Sequence, residues 1–188
     1  NAGRVRAGET VVIVGAGGVG LSAIQGARIA GAARIVAMDV SDAKLADARA
    51  FGATDTISAC MPKPWRALAD ISPRLADAVI LCTGAIAAFE TAPRLLGTGG
   101  RLVMAGMPHS GQTVAWEPVI LSSLGQGIAG AKMGDTVLAR DIPWMVDLYG
   151  QGRLKLDEMV SGRWGLADVN AAIADTKAGQ ARRNVILF

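Results

Sequence analysis

Six residues, Gly15-Ala16-Gly17-Gly18-Val19-Gly20, follow directly on the uncharged run Thr10-Val11-Val12-Ile13-Val14. A G-x-G-x-x-G spacing says little by itself in a chain with 24 glycines among 188 residues. Its setting says more. A β-branched run precedes it, a helical pattern follows (Val19, Ala23, Ile24, Ala27, Ala30), and a second apolar run from Arg34 to Met38 ends in Asp39, 19 residues past Gly20. These parts together can hold a dinucleotide. Gly15 permits a tight strand-to-helix turn, Gly17 leaves room for a pyrophosphate, and Gly20 lets the helix lie close against the sheet. The phosphates then meet the free N–H groups and positive dipole end of the helix that opens at Gly18 and Val19. Asp39 would accept hydrogen bonds from the adenosine ribose hydroxyls.

Asp39 also bears on which dinucleotide. NADP would bring a 2′-phosphate beside this carboxylate, and two negative charges a few ångströms apart repel. No arginine follows; Val40, Ser41 and Asp42 do, with Lys44 within reach of a ribose oxygen from the next helix. NAD is the expected cofactor. Two readings compete: a glycine turn in an α/β domain that binds nothing, and a nucleoside-binding methyltransferase, which also places an acid after its second strand. The regular glycine spacing favours the dinucleotide.

The elements that must position these residues alternate. Strands are expected at Thr10–Val14, Arg34–Asp39, Asp55–Ser58, Asp77–Cys82 and Arg101–Gly106, with a sixth near Gly127–Ala131. Helices fall between them: Gly18 to Ala30, a second that Ser41 caps and Gly52 stops, a short one from Trp65 to Ile71, and a fourth from Ala85 to Leu96 that Pro93 should kink or divide. After Gly106 the alternation breaks. Met107 to Gly125 reads as loop with an extended segment at Gln112 to Ala115, then helices near Asp141–Gln151 and Leu166–Ala178, then a closing strand from Asn184 to Phe188. The pattern predicts an α/β protein with a doubly wound parallel sheet in three layers, a Rossmann fold, filling one domain over 1–188 with residues 1–9 as a linker.

Composition narrows the classes. Hydrophobic residues make up 51% and the mean hydropathy is +0.35. The uncharged stretch from Thr10 to Ala27 approaches membrane-spanning length, but its glycines and strand–turn–helix signal make it buried core. A net charge of +3 with scattered basic residues and few aromatics gives no nucleic-acid surface. Two cysteines, Cys60 and Cys82, show no metal-like spacing and read as reduced, buried thiols of a cytoplasmic protein.

A resemblance joins these pieces. Ala7-Gly8-Glu9-Thr10-Val11-Val12-Ile13-Val14 with the glycine turn is similar to the start of the coenzyme domain of zinc-dependent medium-chain alcohol dehydrogenases. Ala33 to Asp39, Phe51-Gly52-Ala53-Thr54, Gly99 to Val103, Asp141-Ile142-Pro143, Asp147-Leu148-Tyr149 and Gly165 to Ala172 match further along, in order. The resemblance implies that a zinc-binding catalytic domain lies before this segment. It assigns Lys44 to the ribose, Thr83 and Gly84 to the adenosine, Gly106 and Met107 to the nicotinamide end, Ala131 and Lys132 to backbone at the nicotinamide, and Arg183 to the pyrophosphate. No catalytic or metal-ligating residue is assigned within the chain, which has one histidine and two cysteines.

The resemblance further implies an intact NAD-dependent enzyme that oxidises alcohols or reduces aldehydes, with zinc held by the other domain and this segment inactive alone. It also implies an edge strand within the 112–124 region that pairs across a two-fold axis into a homodimer. The alternative is a freestanding NAD(H)-binding sensor without catalysis. A zinc-free quinone reductase is disfavoured by Asp39, and a short-chain dehydrogenase by the absence of Tyr-x-x-x-Lys. His109 reads as a surface loop residue, and Trp116, Trp144 and Trp164 as packing or interface residues. Neither a nucleic acid nor a membrane is an expected partner.

Overall fold

The computed structural model describes residues 1–179 and 181–188, which divide into two compact units, Asn1–Thr136 and Val137–Phe188. In the first unit a six-stranded sheet, parallel throughout, is built from β1 (Thr10–Val14), β2 (Arg34–Asp39), β3 (Asp55–Ser58), β4 (Ala76–Leu81), β5 (Leu96–Met104) and β6 (Gly127–Gly130). Their spatial order is β3-β2-β1-β4-β5-β6, the doubly wound order of the Rossmann fold. Val11, Val12 and Ile13 of β1 are fully buried, because a central parallel strand is covered on both faces.

Helices α1 (Gly18–Ile29), α2 (Asp42–Ala50), α3 (Pro64–Ile71) and α4 (Ile86–Thr91) supply the crossovers. The α1 stripe that meets the core is Gly20, Leu21, Ile24 and Ala27. Val19, the first residue of the helical pattern, is 56% exposed at the helix entrance. Ser41 caps α2 as expected, accepting from the Lys44 N–H. Pro93 divides the fourth helix: α4 stops at Thr91 and a 3-10 turn, Ala92–Leu95, completes the crossover.

Three elements differ from the sequence reading. β5 starts at Leu96, and its register against β4 jumps from Ala76↔Leu96 to Ala78↔Arg101, so residues 97–100 form an irregular excursion in the strand. The extended segment expected at Gln112 to Ala115 is loop. Its alternation is real, but Val114 and Trp116 act as separate anchors packed on the core, and β6 holds the sheet edge. A helix follows, α5 (Pro118–Ser123), with Pro118 in its first turn, a start signal that the sequence reading passed over.

In the second unit α6 (Leu138–Gly150) begins three residues before the expected Asp141, because the Asp141 carboxylate accepts from the Val137 N–H at 2.9 Å and closes the helix entrance. β7 (Gly162–Gly165), α7 (Val169–Lys177) and β8 (Asn184–Leu187) follow, and β8 pairs in parallel with β7. The closing strand is thus present, in a two-stranded sheet of its own. Among the described residues no helix is long and apolar enough to cross a membrane.

Candidate functional site

The sheet order places β1 beside β4, and the crossovers leaving these two strands run in opposite directions along the sheet. A crevice opens there, at the carboxyl ends of the strands. Gly15 makes the turn out of β1 with φ +94°, the left-handed region that glycine enters without penalty, and its N–H donates to the Met38 carbonyl at 2.8 Å. At Gly20 a Cβ would collide with the Gly15 carbonyl oxygen, so close helix–strand contact requires glycine. Gly17 is different. A Cβ there would meet nothing within 4 Å, so nothing inside the protein calls for its missing side chain. Gly17 is also the N-cap of α1, with no side chain to close the first-turn N–H groups; the first intrahelical bond is Leu21 N–H to the Gly17 carbonyl. The entrance of α1 at Gly18 and Val19 therefore presents free donors over open space.

Asp39 ends β2 at the rim of this crevice and is 8% exposed. One carboxylate oxygen accepts from the Ala16 N–H at 2.7 Å, inside the glycine turn, and the other from the Ser41 N–H at 3.0 Å. The two bonds fix the carboxylate plane, and each oxygen keeps a lone pair for a further donor. Gly15, Asp39, Lys44 and Thr83 line one cavity of about 280 Å³. Apart from Thr91 the rest of its lining is apolar, and it includes Val40 and Ala59 beyond β2 and β3, Pro64 at the head of α3, and Ala88 and Leu95 along α4 and its 3-10 turn. Sequence reasoning missed these walls, since alanines and a proline carry no chemical signal. Only Val40 and Ala59, directly after β2 and β3, carried a clue, their position past the carboxyl end of a strand.

The loops after β4 and β5 meet backbone to backbone. A Cβ on Gly84 would press on the Met107 carbonyl, and one on Gly106 would collide with the Thr83 carbonyl. Thr83, Gly84, Gly106 and Met107 are thus brought together, with Met107 89% exposed. The Ala131 N–H donates to the Met104 carbonyl at 2.9 Å, so Ala131 and Lys132 continue from β6 along the same edge. Arg183 belongs to the second unit, where its backbone N–H donates to the Ser161 hydroxyl and its carbonyl accepts from the Ser161 N–H.

The other candidates separate. His109 is exposed in the loop after β5. Cys60 is exposed and not buried, because β3 ends at Ser58 and the chain turns outward. Cys82 is half-buried behind the glycine turn, and desolvation pushes its thiol up to about 12. Among the described residues no group of three or more His, Cys, Asp or Glu is placed to hold a metal ion. Cys60, Cys82 and His109 stand after β3, β4 and β5 respectively and do not join in such a group, so the donor set that zinc requires is not assembled among the described residues.

Comparison with known proteins agrees with this fold. Residues 18–150 match the family model described as zinc-binding dehydrogenase. A class-3 alcohol dehydrogenase of Myxine glutinosa is 33% identical over 189 residues, covering 99% of this chain and 50% of the relative. The crystal structure of benzyl alcohol dehydrogenase from Acinetobacter calcoaceticus superposes with a TM-score of 0.94 at 30% identity, over 99% of this chain and 51% of that one. A further structure, from Sinorhizobium meliloti and bound to NADP, gives a TM-score of 0.90 at 27% identity, over 99% and 54% of the two chains. The chain spans about half the length of the curated relatives it matches. The glycine turn, the strand order and these matches together make this chain a member of the zinc-binding dehydrogenase family.

Proposed function

We propose that residues 1–188 are the NAD-binding domain of an alcohol dehydrogenase. The observation that carries this reading is Asp39, fixed by two backbone N–H groups at the mouth of a cavity into which the glycine turn opens. The ribose hydroxyls donate to the free lone pairs of Asp39, with Lys44 beside them. The adenine occupies the apolar space against Ala88 and Leu95. The pyrophosphate lies over Gly17, where no side chain intrudes, on the open N–H groups of Gly18, Val19 and Gly20. Thr83, Gly84, Gly106, Met107, Ala131 and Lys132 border the nicotinamide-ward half. The ordered carboxylate supports NAD over NADP, since a 2′-phosphate would meet a negative charge already locked in place by the fold.

When bound, NAD supplies the hydride acceptor for oxidation of an alcohol to an aldehyde or ketone. The residues of this chain bind and orient it and leave the metal chemistry to zinc held outside the segment, as expected of a family member that spans half its relatives' length. The segment alone therefore binds cofactor and turns over no alcohol. We place the protein in the cytoplasm, where Cys60 and Cys82 stay reduced. We propose further that it forms a homodimer through the 112–124 region, supported by Val119 and Ile120 of α5, 68% and 43% exposed. β6, which follows this region in the chain, stands at the edge of the six-stranded sheet.

The test is calorimetric titration of the 188-residue chain with NAD and NADP. Saturable NAD binding with weaker NADP binding is the expected result. Absence of binding, or preference for NADP, overturns the cofactor assignment. Sedimentation of Val119→Asp against the parent sequence tests the dimer, which should dissociate.

A further inference from the structure

The apolar wall of the cavity is thin. It is carried by α4, six residues long with no side-chain cap bond, and by the 3-10 turn after it, which holds Pro93. Ala88, Thr91 and Leu95 face the cavity, while Phe89 points the other way into the core. The break at Pro93 has a specific cost. Ala92 keeps helical φ/ψ, and its N–H donates to the Ala88 carbonyl, so the next N–H in line would close on the Phe89 carbonyl. Residue 93 is proline and has no N–H. The Phe89 carbonyl is instead reached by the Trp116 indole N–H at 3.1 Å, across 27 residues of sequence. Trp116 comes from the loop between β5 and α5, the same loop that begins at Gly106 and Met107.

We infer that Trp116 is a positioning residue for the dinucleotide site: its indole N–H replaces the donor that Pro93 lacks and so fixes the adenosine wall from the loop that borders the other end of the site. The inference rests on the NAD-binding reading. It goes further in linking the two ends of the crevice through one hydrogen bond, so that order in the 107–117 loop sets affinity for the adenosine half of a ligand. Arg94, 4.8 Å over the Trp65 ring, steadies the same turn from the α3 side, leaving the Phe89 carbonyl as the position where wall and loop meet.

The experiment is titration of the 188-residue chain with AMP and with NAD, on four proteins: the parent sequence, Trp116→Phe, Pro93→Ala, and the double variant. Trp116→Phe keeps an aromatic ring and removes the N–H, and both ligands should bind about fivefold more weakly, the scale of one neutral hydrogen bond. Pro93→Ala in the Trp116→Phe background returns a backbone donor to Phe89 and should restore parental affinity. General loss of packing at position 116 would not be rescued by a change at position 93. Unchanged affinity in Trp116→Phe, or no rescue in the double variant, overturns the inference and leaves the cofactor assignment standing. If the parent sequence binds neither ligand, the cofactor assignment fails and takes the inference with it. Should Trp116→Phe not fold, Pro93→Ala is compared with the double variant. Equal affinity is then expected, and a loss in the double variant overturns the inference.

Discussion

At the amino-terminal end of the six-stranded sheet Arg101 uses all five of its donors within the fold, whereas at the carboxyl end Asp39 leaves lone pairs facing a cavity. Arg101 donates to both Glu9 carboxylate oxygens, at 3.0 and 2.5 Å, and to the carbonyls of Gly3, Arg4 and Asp77. The Asp77 side chain accepts from the Thr10 N–H at 2.8 Å. Charge at this end closes upon itself and ties residues 3–9 to β1, β4 and β5. Asp39 takes a backbone N–H on each oxygen, which orients the carboxylate without neutralising it. Charge matched by charge gives stability; charge held by backbone donors stays available to a ligand.

Removing the guanidinium should have the largest effect. Arg101→Met leaves Glu9 without its cation and three carbonyls without their donor, and should cost about 3 kcal/mol, read as a fall in Tm of roughly 6–12 °C. NAD affinity of the folded fraction should not change; a parallel loss of affinity would break the division between the two ends. At the other end Asp39→Asn should reverse this pattern. NAD binding should weaken about thirtyfold, discrimination against NADP should shrink, and stability should fall by only about 1 kcal/mol. Gly17→Ala sharpens the contrast further. Its Cβ has open space, so stability should stay within about 0.5 kcal/mol while NAD affinity drops about tenfold by titration.

The smallest effect is one of pH. The Arg101 side-chain hydrogen bonds hold the Glu9 carboxyl below its ordinary 4.5, against desolvation, which pulls the other way. The unfolded chain therefore takes up this proton first as pH falls. The stability contributed by the clamp is complete above pH 4.5 and is lost as pH drops through 4.5 towards the folded-state value. Glu9→Gln should flatten that part of an acid-unfolding curve and leave the curve above pH 5 parallel to that of the parent sequence.

Much of this was legible in the residues. β1 is an uncharged β-branched run and β2 carries the apolar stretch Ile35–Met38, which a doubly covered strand accommodates, and Asp39 stands out because it ends the second. Ser41 and Pro93 announced a cap and a break, and both effects are found. Elsewhere the signal was weak for physical reasons. Residues 97–100 are three glycines and a threonine, whose pattern does not distinguish a loop from an irregular strand. Val114 and Trp116 alternate like strand residues, yet each is anchored singly to the core. β7 is Gly162-Arg163-Trp164-Gly165, with no β-branched residue, and its partner lies 22 residues later at Asn184. Val19 fits a helical stripe by spacing, but the close approach at Gly20 rotates it outward. The cavity walls left no trace because small apolar side chains acquire meaning only from where the sheet places them.

The pairing of β1 with β4 has a consequence for the order in which this protein forms. β1, β2 and β3 can assemble as soon as they exist, whereas Thr10 and Asp77, which bridge the next seam, are 67 residues apart. That seam must wait for a long stretch of chain to be made and then for a large loop to close. The crevice exists only once it has closed, since one wall leaves β1 and the other leaves β4. A dinucleotide has nothing to bind before that event, and afterwards it holds this joint of the sheet shut by mass action. Cofactor supply should thus act on the late steps of folding and leave the early ones untouched.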